Sequence, residues 1–322
     1  MKDLRRIASL TALLGAFALA GCDMPTPQVI SGTEVSPRPV AKPASPVEPA
    51  PRPQSEASKE LAAYYQRVQA DLLVQGLLRT DGGGPDTPYT DTMLARNFER
   101  IAFFDEYSGG GLGAADGQAG RLKRWQGPVR FNVEFGSNIS AAKQERYTAN
   151  VTSYAARLSR STGHPIGVSP SSANFHVLVM SEDDRGYVQQ RVRELVPRID
   201  PQALRIFGNL PRSIHCLVVA FSGNGNSYGY GQAIALIRSE HPDLMLRSCI
   251  HEELAQGLGL ANDSPAARPS IFNDDDEFSL LTTHDAHLLG MLYDPRLETG
   301  MTLEAARPII RQLAAERLGP RS

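Results

Sequence analysis

The 322-residue sequence contains little of what marks several common protein classes. Its three cysteines are too few for a disulfide-rich scaffold. It has no run of 18 or more apolar residues, so no segment is predicted to span a bilayer as a helix. A formal net charge of −2 excludes a general nucleic-acid binder, which would carry a basic excess. What remains is the composition of a globular chain, 41% hydrophobic and 21% charged, with room for one or two domains.

The first segment predicts export. Three basic residues among the first six precede an uncharged, mostly apolar stretch at 7–21, which has the length of a signal-peptide core. The stretch ends in Leu19-Ala20-Gly21-Cys22, which resembles the bacterial lipobox. This resemblance implies a signal peptide at 1–21, acylation of Cys22 and a lipid-anchored protein on the periplasmic side of a bacterial membrane. Asp23 after the acylated position resembles an inner-membrane retention signal.

The segment at 22–56 predicts a tether. Nine prolines lie between Pro25 and Pro53, interleaved with small and polar residues. Such a composition buries no core and favours an extended polyproline-II conformation. We therefore expect a spacer between the membrane and the folded part.

The rest of the chain predicts an α+β fold. We divide it into an N-terminal helical region at 57–124 and an α+β domain at 125–322. In seven segments, apolar residues recur at helical spacing. In four others, apolar residues alternate with polar ones or form a short run, which is typical of strands. The predicted helices lie at 58–79, 90–104, 140–161, 186–196, 243–260, 282–293 and 302–317, and the predicted strands at 129–135, 175–180, 215–221 and 232–238.

The segment 251–263 carries the most informative motif. A zincin helix places His, Glu and a second His four residues after the first on one face. Read from His251, the second ligand position falls on Ala255, which binds no metal. Read from Glu252, the residues Glu252-Glu253-x-x-Gln256-x-x-Gly259-x-x-Asn262 have the spacing of the longer metzincin signature.

Downstream residues favour the second register. Leu258-Gly259-Leu260, Ser270-Ile271-Phe272 and Leu281-Thr282-x-x-Asp285 resemble, in order, three further elements of metzincin catalytic domains. Over about 125–295 this resemblance implies a zincin-like mixed sheet packed on helices. The whole chain, from the lipobox to Tyr293-Asp294-Pro295, also resembles the proteobacterial lipoprotein family called domain of unknown function 2927, which implies no activity.

The three ligand positions depart from the metzincin pattern. Glu252, Gln256 and Asn262 offer one carboxylate and two neutral amides where zinc is held by imidazoles. We therefore expect no metal and no other cofactor, and a hydrogen-bonded cluster of these three residues. Without zinc, a bound water is not activated and Glu253 has no nucleophile to deprotonate.

Three functions remain open on this basis. The first is a membrane-tethered envelope lipoprotein whose metal-free, non-catalytic domain binds a protein or peptide. The second is an atypical metallopeptidase or hydrolase with Glu253 as general base. The third is a structural envelope lipoprotein. In each, acylated Cys22 binds membrane lipid.

Two cysteines of the exported part predict a disulfide. With Cys22 acylated, Cys216 and Cys249 are an even pair in an oxidising compartment. Cys216 begins an apolar strand, and Cys249 lies on the helix with the degenerate motif, which in zincin-like folds packs near the sheet. The alternative is two separate buried thiols.

Overall fold

A mostly parallel sheet of six strands organises the part of the chain that the structure describes. This computed structural model describes residues 53–105, 117–223, 225–273 and 275–319. The strands are β1 Arg124–Trp125, β2 Val129–Phe135, β3 Ile166–Val168, β4 Phe175–Met180, β5 Cys216–Gly223 and β6 Asn226–Arg238. The predicted signal peptide, the acylation of Cys22 and nearly all of the predicted tether lie outside these residues.

Eight α-helices surround this sheet in the same described ranges. They are α1 Glu56–Val74, α2 Asp91–Phe103, α3 Ala141–Thr162, α4 Arg185–Leu195, α5 Pro201–Gly208, α6 Asp243–Gln256, α7 Thr283–Leu292 and α8 Leu303–Leu318. The predicted α+β class is therefore confirmed. None of the helices in the described ranges is both long and apolar enough to cross a membrane.

The sheet has one antiparallel strand at its edge. The strand order is β1-β6-β4-β2-β3, and β5 also pairs with β6. All pairs are parallel except β5 with β6, which runs antiparallel from Cys216 opposite Ile237 to Gly223 opposite Asn226. No other strand of the described residues pairs with β5, so its outer edge offers backbone donors and acceptors.

Both faces of the sheet are covered by helices. Strand β4 is buried along its whole length, as expected for a central parallel strand. Its alternate residues Val177 and Val179 join the main core, which also takes in side chains of α2, α3, α6, α7 and α8. Leu178 and Met180 point to the opposite face and pack with α4 and α5.

The N-terminal helices are held differently. In α2, Phe98 and Ile101 belong to the main core together with Ile310 of α8. Helix α1 instead packs in a small separate cluster, where the Tyr65 hydroxyl donates to the carbonyl oxygen of Arg212 at 2.9 Å. The boundary predicted between 124 and 125 stays a prediction.

The predicted disulfide between Cys216 and Cys249 is confirmed. The two residues are bonded, with their Cα atoms 5.8 Å apart. The bond joins the first residue of β5 to the middle of α6 and so fixes the edge strand against this helix.

Candidate functional site

A cleft of about 640 Å³ lies beside the edge strand. Its lining includes β5 residues from Cys216 to Ala220 together with Ser222, and two residues of α5, Ala203 and Ile206. Helix α6 forms another part of the lining. The cleft therefore follows the same strand edge that no other described strand covers.

Four residues of helix α6 line the cleft. Ser248, Glu252 and Gln256 line it at intervals of four residues, a spacing that places them on one helical face. Glu253 lines it as well and is 4% exposed. The disulfide sets this arrangement, because Cys249 lies one turn before Glu253 on the same side of the helix.

The structure brings three of the four predicted motif residues to the cleft. Glu252, Glu253 and Gln256 line it. Asn262 does not: it is 5% exposed, and its amide donates to the carbonyl oxygen of Arg100 at 3.1 Å. The next residue, Asp263, lines the cleft instead and accepts a hydrogen bond from the Gln256 amide at 3.3 Å.

The zinc ion that the metzincin resemblance implies does not fit these residues. The third ligand position, Asn262, bonds a backbone carbonyl outside the cleft, and the Gln256 amide nitrogen points to Asp263. Within the described ranges, no three His, Cys, Asp or Glu side chains form a group suited to a metal ion.

His251, the alternative ligand considered from the sequence, supports the backbone. Its ring stacks on Tyr154 with centroids 3.9 Å apart, and its Nδ1 accepts the backbone N–H of Leu281 at 3.0 Å. Burial lowers the pKa of His251 to about 3, with further lowering by Arg157 and Arg247. It is therefore neutral at neutral pH, as an acceptor of this bond must be.

Gly259 and Trp125 fix the chain where it leaves α6. Gly259 has a φ of +127°, and a Cβ there would lie 2.4 Å from the carbonyl oxygen of Lys123. Only glycine adopts this backbone conformation without strain, so the residue permits a sharp change of direction after α6. Trp125, the only tryptophan of the sequence, donates from Nε1 to the carbonyl oxygen of Gly257 at 2.8 Å.

A buried carboxylate holds the turn at 270–272 beside the cleft. Asp285 accepts hydrogen bonds from Ser270 Oγ at 2.5 Å, from the Ile271 N–H at 3.1 Å and from Thr282. Burial alone would raise the pKa of Asp285, but the hydrogen bonds and the neighbouring His284 lower it. Because Ile271 lines the cleft, this network fixes part of its wall.

Acidic residues from distant parts of the sequence complete the lining. Asp105 and Asp276 both reach the cleft, and Asp105 forms an ion pair with Lys123 at 2.9 Å. None of Asp105, Asp263 and Asp276 was expected at this site from the sequence. Asp263 had a local signal, since it directly follows Asn262, the predicted third ligand position.

Comparison with known proteins gives a family and no activity. A family model described as "Protein of unknown function (DUF2927)" matches residues 91–312, which include α2 to α7, the whole sheet and the α6 side of the cleft. No curated protein and no solved structure matches the chain. The match covers more than half of the 322 residues, so the chain belongs to the DUF2927 family, as the sequence resemblance had indicated.

Proposed function

We propose that this protein is a membrane-tethered lipoprotein of the bacterial envelope whose cleft binds an extended peptide segment without cleaving it. The observation that carries the proposal is the position of β5. Its outer edge is unpaired among the described strands and lies along the cleft. A peptide that adds to such an edge gains backbone hydrogen bonds along its length, and pockets beside the strand select alternate side chains.

The walls of the cleft favour binding over chemistry. The disulfide and the Asp285 network fix the strand, the helix and the turn at 270–272, so a peptide would meet a preformed surface with a small ordering cost. The resemblance to zincins also supports binding without cleavage. Helix α6 has the metzincin spacing, but the side chains at the ligand positions do not converge on one point.

The membrane tether rests on the first segment of the sequence. The basic residues, the apolar stretch and the lipobox ending at Cys22 support acylation. Asp23 supports retention in the inner membrane. The Cys22→Ala variant is expected to leave the membrane fraction or to keep its signal peptide. A variant that fractionates and migrates as the unchanged protein does would contradict acylation.

The hydrolase with Glu253 as base is the competing function, since Glu253 lines the cleft. Metal content separates the two. Elemental analysis of the purified full chain is expected to find no stoichiometric zinc, and a chelator is expected to leave the melting temperature unchanged, because loss of a bound ion would lower it. Stoichiometric zinc, or a fall in melting temperature that zinc reverses, would favour the hydrolase.

Peptide binding is tested with three labelled octapeptides, matched in length to the eight residues of β5. Threonine, which favours extended backbone, alternates in them with lysine, glutamine or glutamate. Fluorescence anisotropy with the full chain in detergent is expected to detect binding of at least one. N-methylation of every second amide, in each of the two registers, then tests strand pairing. Methylation in one register should abolish binding and methylation in the other should not.

Two outcomes would overturn the proposal. One is the failure of all three octapeptides to bind. The other is binding that neither pattern of N-methylation changes, because a peptide that pairs with β5 must direct one set of its amides toward that strand.

A further inference from the structure

We propose that the segment bound by this cleft carries an apolar side chain at every second position, and that this set of side chains packs toward α5. This inference rests on the proposed function and names the class of its ligand. It follows from the two helices that flank β5 on opposite faces of the sheet.

The disulfide determines which face of β5 lies toward α6. Successive side chains of a strand point to opposite faces of its sheet. Cys216 is bonded to Cys249 of α6, so the face of β5 that carries Cys216 is the α6 face. Val218 and Ala220 lie on this same face and pack against the main core, to which α6 also contributes.

The opposite face of β5 lies toward α5. Leu217, Val219 and Phe221 alternate with the residues of the α6 face and belong to the hydrophobic cluster on the other side of the sheet. Phe207 of α5 is buried in this cluster, and Ile206 packs against it. Helices α5 and α6 therefore flank the edge strand on opposite sides.

Helix α5 turns an apolar side to the cleft. Of its eight residues, Ala203 and Ile206 line the cleft. Its polar residues Gln202 and Arg205 are exposed and lie outside the lining. A ligand in the cleft therefore meets α5 through apolar side chains.

The chain next to α5 extends this apolar side. Leu217 and Val219 line the cleft from β5, and Ile214 lines it from the segment before the strand. Val219 and Ile214 are half-buried, so apolar surface remains accessible to a ligand here. Helix α6, in contrast, contributes polar side chains to the lining, among them Ser248 and Gln256.

A peptide that adds to β5 extends the sheet by one strand. Its side chains then alternate between the α5 side and the α6 side, and those on one side lie about 7 Å apart. Every second side chain therefore faces the surface formed by Ile206, Ile214 and Val219. An apolar side chain gains there from its removal from water. A polar one would lose hydrogen bonds to water and gain none from these three residues.

Two further labelled octapeptides test the inference beside the peptide that alternates threonine with glutamine. In the first, valine replaces each threonine, which keeps the branched shape and the preference for extended backbone but exchanges a hydroxyl for a methyl group. In the second, the same valines and glutamines are arranged in pairs, so that the valines are divided between the two faces of the strand.

The alternating valine peptide is expected to bind the full chain at least about 4-fold more tightly than the threonine–glutamine peptide, which is the gain for one buried methyl group. It should also bind more tightly than the paired peptide. The paired peptide has the same composition, so this second comparison separates alternation from general hydrophobicity.

Two substitutions in β5 assign the preference to one side of the strand. Val219→Thr places a hydroxyl on the α5 side, and the matched control Val218→Thr places one on the α6 side. Both valines are half-buried and line the cleft. Val219→Thr should weaken binding of the alternating valine peptide about 2- to 4-fold, whereas Val218→Thr should leave it unchanged. Both variants should bind the threonine–glutamine peptide as the unchanged protein does, which shows that they are folded.

The outcomes separate the inference from the proposed function. Equal binding of the alternating valine peptide and either comparison peptide would overturn the apolar preference and leave peptide binding intact. A loss on Val218→Thr that equals or exceeds the loss on Val219→Thr would overturn it as well, and so would a loss on Val219→Thr that is the same for the valine and threonine peptides. Failure of the three octapeptides that test the proposed function would overturn both proposals.

Discussion

Removal of the disulfide gives a stability change that can be estimated from the structure. The bond between Cys216 and Cys249 spans a sequence separation of 33 and closes a loop of 34 residues, counting both cysteines. The chain-entropy relation for such a loop gives about 4 kcal/mol at 25 °C. For a domain of this size, each kcal/mol shifts the melting temperature by about 2–4 °C. The Cys216→Ala/Cys249→Ala variant is therefore expected to melt about 8–16 °C below the oxidised protein.

The assay is thermal unfolding of the full chain with and without a reductant. The reductant should lower the melting temperature of the unchanged protein toward that of the double variant, and it should not affect the double variant. Hydrogen exchange adds a local readout, because the bond fixes β5 to α6. The amides of β5 should exchange faster in the variant relative to those of the central strand β4.

Two results would refute this reasoning. If the double variant melts within about 2 °C of the oxidised protein, the loop does not constrain the unfolded chain as the relation assumes. If the reductant lowers the melting temperature of the double variant as well, the effect does not come from this bond.

Three further substitutions are expected to act at defined points. Gly259→Ala should lower the free energy of unfolding by about 2 kcal/mol or more, because Gly259 has a positive φ and an added Cβ would meet the Lys123 carbonyl oxygen. The control Gly186→Ala should not lower it, since a Cβ at Gly186 meets nothing within 4 Å. Equal stability of the two variants in urea would contradict this prediction. The pKa of His251 is lower in the folded protein than in the unfolded chain. Its contribution to stability is therefore complete above about pH 6.5 and is lost as the pH falls, by up to about 1.4 kcal/mol per pH unit. In His251→Asn, the free energy of unfolding measured in urea should depend less steeply on pH in this range. Asp285→Asn should cost at least about 3 kcal/mol, because an amide nitrogen would face buried N–H and O–H donors, and an unchanged urea midpoint would contradict that.

Strands and helices with a strong local pattern were predictable from the sequence. The predicted strands at 129–135 and 175–180 have the same bounds in the structure, because each is determined by the burial of its own side chains. The predicted helix at 140–161 is α3, which ends before Gly163 in the left-handed conformation with a φ of 67°. A glycine in this position is a strong local signal for the end of a helix.

Elements that depend on distant contacts were not predictable. β1 has two residues, and only its pairing with β6 makes it a strand. Helix α5 was not predicted, although Asp200 caps it and Pro201 begins it. Its eight residues are too few to show a clear helical spacing of apolar residues. The helix predicted to reach residue 260 ends at Gln256, and the positive φ of Gly259 then turns the chain away from the helix axis.

This turn explains why Asn262, the third ligand position predicted from the sequence, does not line the cleft. Extrapolating the metzincin spacing beyond Gln256 selects Asn262, but the direction of the chain after the helix is set by Gly259 and by what packs against it. The structure turns Asn262 toward Arg100 and places Asp263 beside Gln256. Asp105 and Asp276 reach the cleft from other parts of the chain and had no local signal that connects them to α6.

The segment that follows α6 is supported by residues that lie far from it in the sequence. Trp125 donates to the carbonyl oxygen of Gly257, and Tyr293 donates to that of Leu258 at 3.0 Å. Asp285 holds the turn at 270–272. Each of these bonds comes from outside the stretch between Glu252 and Gln256, so none of them depends on the side chains of that stretch. A helix with carboxylates and an amide on its cleft face fits the proposed binding of a peptide, because the bonds that maintain the surrounding frame come from other parts of the chain.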